Sequence, residues 1–230
     1  LLWQAGVPHT VMTAKHGRVH AVRPAPGGQS LAVGCDDGEA AVVTLDGRVL
    51  ASLSGHEGDV QHLAWSADGA WLVTADDHGN TWVWPQGRLP GRRLTDSHSA
   101  IGTVAFSDDG RALVASDHAG HVWLWSTGTW TPRTAELGGD PVVAWTDGAR
   151  VGLVDGDGAV HHWHVAPGGD ALAADPTVAT KLRTKRAVFA KGGDWVLLGG
   201  VGGEVTRVEG DRIEALPQTH NSQVRTLAVS

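Results

Sequence analysis

Three stretches of this 230-residue chain carry side chains that could hold an ion or do chemistry. His161-His162-Trp163-His164 places His162 and His164 on one face of an extended strand and His161 on the other, the beginning of a zinc site. Zinc takes three or four ligands held by further hydrogen bonds, and this stretch offers too few on one face. Structural or surface histidines are expected there. Asp155-Gly156-Asp157-Gly158 has the acidic spacing that opens a calcium loop, but Ala159 and Ala166 stand where further oxygens belong, so it reads as a turn. Lys181, Arg183, Lys185 and Arg186 form a basic run suited to a phosphate or an acidic partner, and otherwise to a solvated loop between structural units.

No phosphate-cradling loop, serine-nucleophile elbow or zinc-protease helix motif occurs. Of the 13 histidines, His16, His56, His98 and His220 fall at one repeated place, just before a first strand, which marks architecture rather than catalysis. The chain is therefore expected to be no enzyme and to hold neither metal nor cofactor.

Composition describes the elements that carry these residues. Gly 32 and Trp 11, beside Tyr 0 and Phe 2, suit many short strands joined by glycine turns and packed with indoles. A hydrophobic share of 41% with 19% charged residues belongs to a folded chain. The net charge of -7 argues against a general attraction to nucleic acid or anionic membranes. No stretch approaches the roughly 20 apolar residues of a membrane span. A lone Cys35 and the lack of a signal peptide fit a cytoplasmic setting.

A repeat organises the chain. Glycine turns end at Gly28, Gly69, Gly110, Gly148 and Gly193, at intervals of 41, 41, 38 and 45 residues. A second glycine follows ten residues later each time, at Gly38, Gly79, Gly120, Gly158 and Gly203. Five residues further on stand Val43, Trp84, Trp125, Trp163 and Val208. Between the markers run alternating or short apolar blocks, the pattern of strands of about five to six residues, four per repeat. Helical periodicity is not sustained anywhere. The indoles are expected to fill the space between neighbouring sheets.

A four-stranded repeat of about 40 residues is the signature of a β-propeller blade. Gly55-His56, then Val60 to Gly69, then Leu72 to Trp84, resemble the WD-repeat family's Gly-His opening, serine-aspartate-glycine turn and closing tryptophan. The likeness covers essentially the whole chain and is strongest in the blades ending at Trp84 and Trp125. It implies an all-β fold, a β-propeller of four-stranded antiparallel blades, five whole and parts of a sixth. No tryptophan is followed by the family's aspartate, since Pro85, Ser126 and His164 come next. The family's turn aspartate is kept at Asp37 and Asp157 and replaced at His78, Ala119 and Gly202. By that alignment His56 lacks its aspartate, the Trp163 blade lacks its histidine, and no blade keeps His, Asp and Trp together. A weakened hydrogen-bond network follows, at about 1 kcal/mol per missing bond. Scarce Lys, Ile and Asn resemble the drift of a high-GC bacterial genome.

Blade cores are expected at about 15-54, 55-96, 97-137, 138-176 and 177-218, with 1-14 and 219-230 as pieces of flanking blades, Leu1-Leu2-Trp3 aligning with a third strand, Val7 to Met12 with a fourth and Ser222 to Ser230 with a first. The segment thus starts and stops within a blade, and its parent is expected to be longer. In bacteria, regions resembling this one are commonly joined to a kinase, protease or nucleotide-driven switch.

Turns leading into first strands and turns between second and third strands lie at one end, because neighbouring strands are antiparallel. That end supplies the candidate partner-binding residues Arg18, Asp36, Asp59, Asp77, His78, His118, Asp155 and Arg186. The expected function is a protein-protein interaction scaffold, or a sensor gating an attached effector domain, binding a protein or peptide on the rim. The rival is a propeller enzyme with its active site in the central channel.

Overall fold

The computed structural model describes the backbone of residues 2–4 and 7–9, and residues 18–169, 171–217, 223–225 and 227. His16, His220, residues 10–14 and most of 219–230 lie outside the described residues. The chain divides into two compact units, Leu1–Ile101 and Gly102–Ser230.

In the first unit, β1 (Leu2–Gln4) and β2 (Val7–His9) form a two-stranded antiparallel sheet. Two four-stranded sheets follow. The first blade is β3 (Val19–Pro24), β4 (Ser30–Cys35), β5 (Ala40–Thr44) and β6 (Val49–Leu53). The second is β7 (Val60–Trp65), β8 (Trp71–Asp76), β9 (Asn80–Pro85) and β10 (Arg92–Asp96).

The second unit holds three more. The third blade is β11 (Ile101–Phe106), β12 (Ala112–Asp117), β13 (His121–Ser126) and β14 (Pro132–Glu136), its first residue falling on the unit boundary. The fourth is β15 (Pro141–Thr146), β16 (Arg150–Asp155) and β17 (Ala159–Val165), its outer edge split between β18 (Leu172–Ala174) and β19 (Val178–Ala179), both paired with β17. The fifth is β20 (Thr184–Phe189), β21 (Val196–Gly200), β22 (Val205–Glu209) and β23 (Arg212–Ala215). Apart from β19, which returns to β17, strands pair in chain order, so each sheet is an antiparallel meander, and the five are blades of the β-propeller type.

One register serves all five. The marker residues Val43, Trp84, Trp125, Trp163 and Val208 pair with Leu31, Leu72, Leu113, Val151 and Val196 of the preceding strand. A one-residue slip would turn every indole to the wrong face, so hydrophobic burial fixes the pairing. Second strands read as continuous apolar runs because both their faces are covered; all six residues of β12 are buried. Fourth strands form sheet edges, and β23 is exposed along its whole length.

Burial joins neighbouring blades within each unit. Ala32, Val42 and Leu53 of the first blade cluster with Val60, Leu72 and Trp84 of the second. Val114, Val122 and Leu124 of the third meet Val151, Leu153 and Trp163 of the fourth, and Val154 and Val160 meet Val196, Leu198 and Val208 of the fifth. Trp84 and Trp125 are fully buried, each contributing roughly 2 to 3 kcal/mol. First strands of successive blades lie against one another, β3 with β7 and β15 with β20.

Two turn glycines have a further constraint. Gly79 (φ 87°) and Gly158 (φ 81°) adopt the left-handed region, and a Cβ there would overlap the carbonyl oxygens of Ser97 and Leu182. The strand-joining turn is thus seated on the segment that follows the fourth strand.

Candidate functional site

The most developed polar cluster lies inside the second blade. Asp76 ends β8, and its Oδ1 accepts hydrogen bonds from the backbone N–H groups of His78 (3.1 Å) and Asn80 (2.8 Å), shaping the turn into β9. Its Oδ2 accepts from Asn80 Nδ2 (2.8 Å) and Glu57 N (3.3 Å) and meets His56 Nδ1 at 2.9 Å. His56 Nε2 lies 2.5 Å from Thr74 Oγ1, which accepts from the Trp84 indole N–H at 2.8 Å. The contacts form one connected chain: His56 Nδ1 donates to Asp76, His56 Nε2 shares a hydrogen bond with the Thr74 hydroxyl, and Trp84 donates to Thr74. Burial by itself raises the Asp76 carboxyl, but hydrogen bonds from His56 and Asn80 and the adjacent imidazole outweigh it and hold the pKa at about 2.

The second blade therefore does keep His, Asp and Trp together, correcting the expectation that His56 lacks an aspartate. The acceptor stands three residues before the turn glycine. His78, immediately before Gly79, points outward with a 61% exposed side chain. A Thr-His-Asp order resembles a nucleophile relay, but the His56 and Asp76 side chains and Thr74 are all 0% exposed. No substrate reaches Thr74, so the cluster fastens the loop before β7 to the two central strands.

The same strand-end place holds Asp117 and Asp155. His121 Nδ1 meets Asp117 Oδ2 at 2.8 Å, and this bond raises the His121 pKa. Asp155 Oδ1 accepts from Asp157 N (3.0 Å) and Ala159 N (2.9 Å), while Oδ2 meets His161 Nε2 at 2.9 Å. In both blades a third-strand histidine replaces the loop histidine. Asp155 is 6% exposed with both oxygens engaged, so, contrary to the expectation that it contacts a partner, it braces the turn from the buried end of β16. In the third blade Ala115 occupies the place of Thr74, and the buried Trp125 indole N–H has no partner among the described residues. His98 is exposed, one residue out of register with His56, so the two do not share a role.

Lead-in turns and strand-joining turns are clamped together. Arg18 N donates to Asp36 Oδ1 (2.5 Å) while Asp36 N donates to the Arg18 carbonyl (3.0 Å). Asp59 N donates to Asp77 Oδ1 (2.8 Å) while Asp77 N donates to the Asp59 carbonyl (3.1 Å). The fourth and fifth blades keep the backbone half, Gly156 N to Asp140 O (2.9 Å) and Val201 N to Arg183 O (3.2 Å). In the first and second blades the clamp spends one carboxylate oxygen, of Asp36 or Asp77, on the turn and leaves the side chain at the blade's end.

Within the first unit this brings together Arg18, Asp36, Asp59, Asp77 and His78. His20 Nε2 reaches Asp59 Oδ2 at 3.5 Å, tying the first blade to the second, and His78 Nδ1 lies 3.1 Å from Asp77 Oδ1. Within the second unit, exposed His118 bonds Asp140 of the fourth blade's lead-in turn. Arg186 is exposed on β20, and its Nε donates to the Arg225 carbonyl at 3.1 Å. Of the basic run, Lys181 and Arg183 lie in the loop, whereas Lys185 and Arg186 belong to the strand, correcting the reading of the whole run as loop. Arg183 and Lys185 line a cleft with Asp140, Gly156, Asp157 and Thr184.

Two of the three imidazoles at residues 161–164 have anionic partners, His161 with Asp155 and His164 with Asp175 at 2.9 Å. Burial lowers the His162 pKa, favouring its neutral form. Among the described residues no group of three or more His, Cys, Asp or Glu is placed to hold a metal ion. No helix among them is long and apolar enough to cross a membrane.

Residues 47–85 and 90–126 match the family described as WD domain, G-beta repeat. Each match begins near the fourth strand of one blade and runs through three strands of the next, so the sequence repeat is offset from the structural blade. The chain is 32% identical over 93 residues to Protein hir1 of Emericella nidulans, covering 32% of this chain and 9% of that protein. It is 39% identical over 74 residues to Protein HIR1 of Phaeosphaeria nodorum, covering 30% of this chain and 7% of that protein. The chain thus spans less than a tenth of the length of these relatives.

Proposed function

We propose that residues 1–230 are a WD-repeat β-propeller segment of a larger cytoplasmic protein, with blade cores near 15-54, 55-96, 97-137, 138-176 and 177-218, and that it holds a protein or peptide partner. The observation carrying this reading is the repeated clamp between lead-in and strand-joining turns. It gathers Arg18, Asp36, Asp59, Asp77 and His78 at the ends of adjacent blades and fixes them before any partner arrives, which lowers the ordering cost of binding. His118 and Arg186 occupy the corresponding end of the blades in the second unit. The function is scaffolding or sensing rather than catalysis, a reading that fits the Thr74-His56-Asp76 relay, which is sealed from solvent and braces the blade. The fungal relatives lend no support to a bacterial source, which rests on composition alone.

Affinity capture with the 230-residue chain as bait tests the reading. Asp77→Asn keeps the acceptor for Asp59 N and removes the charge; combined with His118→Ala it should abolish capture while the unfolding midpoint stays put. Undiminished capture by the double variant would overturn the choice of face.

A further inference from the structure

The fifth blade's lead-in carries the chain's basic residues out of proportion to its net charge of -7. Lys181, Arg183, Lys185, Arg186 and Arg225 are all exposed, and none lies within ion-pair distance of a carboxylate among the described residues, unlike Arg150, Arg207 and Arg212. The Arg186 guanidinium spends its hydrogen bonds on the backbone carbonyls of Arg225 and Lys185, which hold it in place without neutralising it.

The backbone beneath them is fixed. Thr180 Oγ1 donates to the Gly158 carbonyl (2.7 Å), Thr184 N to the Gly156 carbonyl (2.9 Å), and Thr184 Oγ1 to the Leu182 carbonyl (2.9 Å). A β-bulge between Thr184 and Arg186 breaks the inward-outward alternation, so Lys185 and Arg186, consecutive in sequence, are both exposed. Bulges re-aim side chains at functional edges. First strands β3, β7 and β15 carry bulges at the same place, where His20, Gln61 and Val142 stand, so the bulge belongs to the scaffold and the cation belongs to this blade.

We propose that Arg183, Lys185 and Arg186, flanked by Lys181 and Arg225, form a docking site for an acidic peptide segment of the partner protein. The proposal rests on the reading of the chain as a partner-binding propeller and names the chemistry of one contact. Uncompensated guanidinium and ammonium groups on a fixed backbone favour carboxylates; Arg183 offers paired donors to them, and Arg186, held by its Nε and Nη1, offers its charge and its Nη2 donors. Asp140 and Asp157 line the same cleft, and Asp140 is engaged by His118. The cationic stretch is short and the chain's net charge is -7, which disfavours a long polyphosphate track and favours a short acidic peptide over nucleic acid.

Titration of a fluorescent Glu-rich peptide, its Gln isostere and an oligouridylate of matched charge against the 230-residue chain tests the site. The Glu peptide should bind, weaken by about tenfold or more with Lys185→Glu plus Arg186→Glu and with Arg183→Glu alone, and weaken as salt rises from about 50 to about 300 mM. Arg92→Glu, an exposed change on β10, should leave it untouched. Equal binding by the variants, equal binding of the Gln peptide, or tighter binding of the oligouridylate overturns the proposal. If the double variant unfolds, the single Arg183→Glu decides. A chain that captures protein yet ignores the peptide defeats this inference alone; one that binds the peptide yet captures nothing defeats the scaffold reading alone.

Discussion

His56 Nδ1 lies 2.9 Å from Asp76 Oδ2, with both side chains wholly withdrawn from water. Twenty residues apart in sequence, they fasten the loop before the second blade to its central strands. Removing the imidazole strands a carboxylate and the Thr74 hydroxyl in a closed interior, so His56→Ala should cost about 3 kcal/mol or more in urea unfolding. His98→Ala, on the surface, should stay within about 0.5 kcal/mol. Equal losses would deny the relay its structural role.

Acid should release this contribution. The Asp76 pKa falls from 3.8 to about 2 on folding, so its stabilisation is complete above about pH 4 and is lost as pH falls towards 2. It amounts to about 2 kcal/mol. Asp76→Asn should flatten the pH dependence of the unfolding free energy across that window; an unchanged slope would assign acid sensitivity elsewhere.

His121 behaves oppositely. Its pKa is raised by the bond to Asp117, so its stabilisation is complete below the ordinary histidine value near 6.5 and is lost as pH rises through the raised one. NMR titration should show the His121 midpoint drop in Asp117→Asn.

Ala115→Ser should give the buried Trp125 indole N–H an acceptor, as Thr74 does for Trp84, and raise stability by up to about 1 kcal/mol. Thr74→Ala makes the converse change and should cost about 1 to 3 kcal/mol. A shift of the Trp125 Nε1–H resonance in the serine variant reports the bond directly.

Glycine substitutions should separate conformation from space. Gly210→Ala (φ 54°) meets nothing within 4 Å and should cost about 1 kcal/mol. Gly79→Ala adds overlap with the Ser97 carbonyl and should cost clearly more by thermal unfolding. Similar losses would show the segment after β10 yielding to the new methyl.

The sequence by itself determined the blades and their register. Glycine turns and the indoles five residues after them act locally, and the period-2 pleat carries each marker to its partner on the preceding strand. Only the tertiary structure decided which aspartate answers which histidine. Asp76, Asp117 and Asp155 each stand three residues before a turn glycine, a periodic signal present in the sequence, whereas the family pattern points to the residue next to the glycine as the acceptor. Strand ends aim their side chains inward while the turn beyond them aims outward, and that difference is set by backbone path rather than residue type. The same cause took Asp155 from the surface and gave His121 and His161 partners from their own sheets. Exposure of both Lys185 and Arg186 likewise depended on a bulge, which no residue pattern announces.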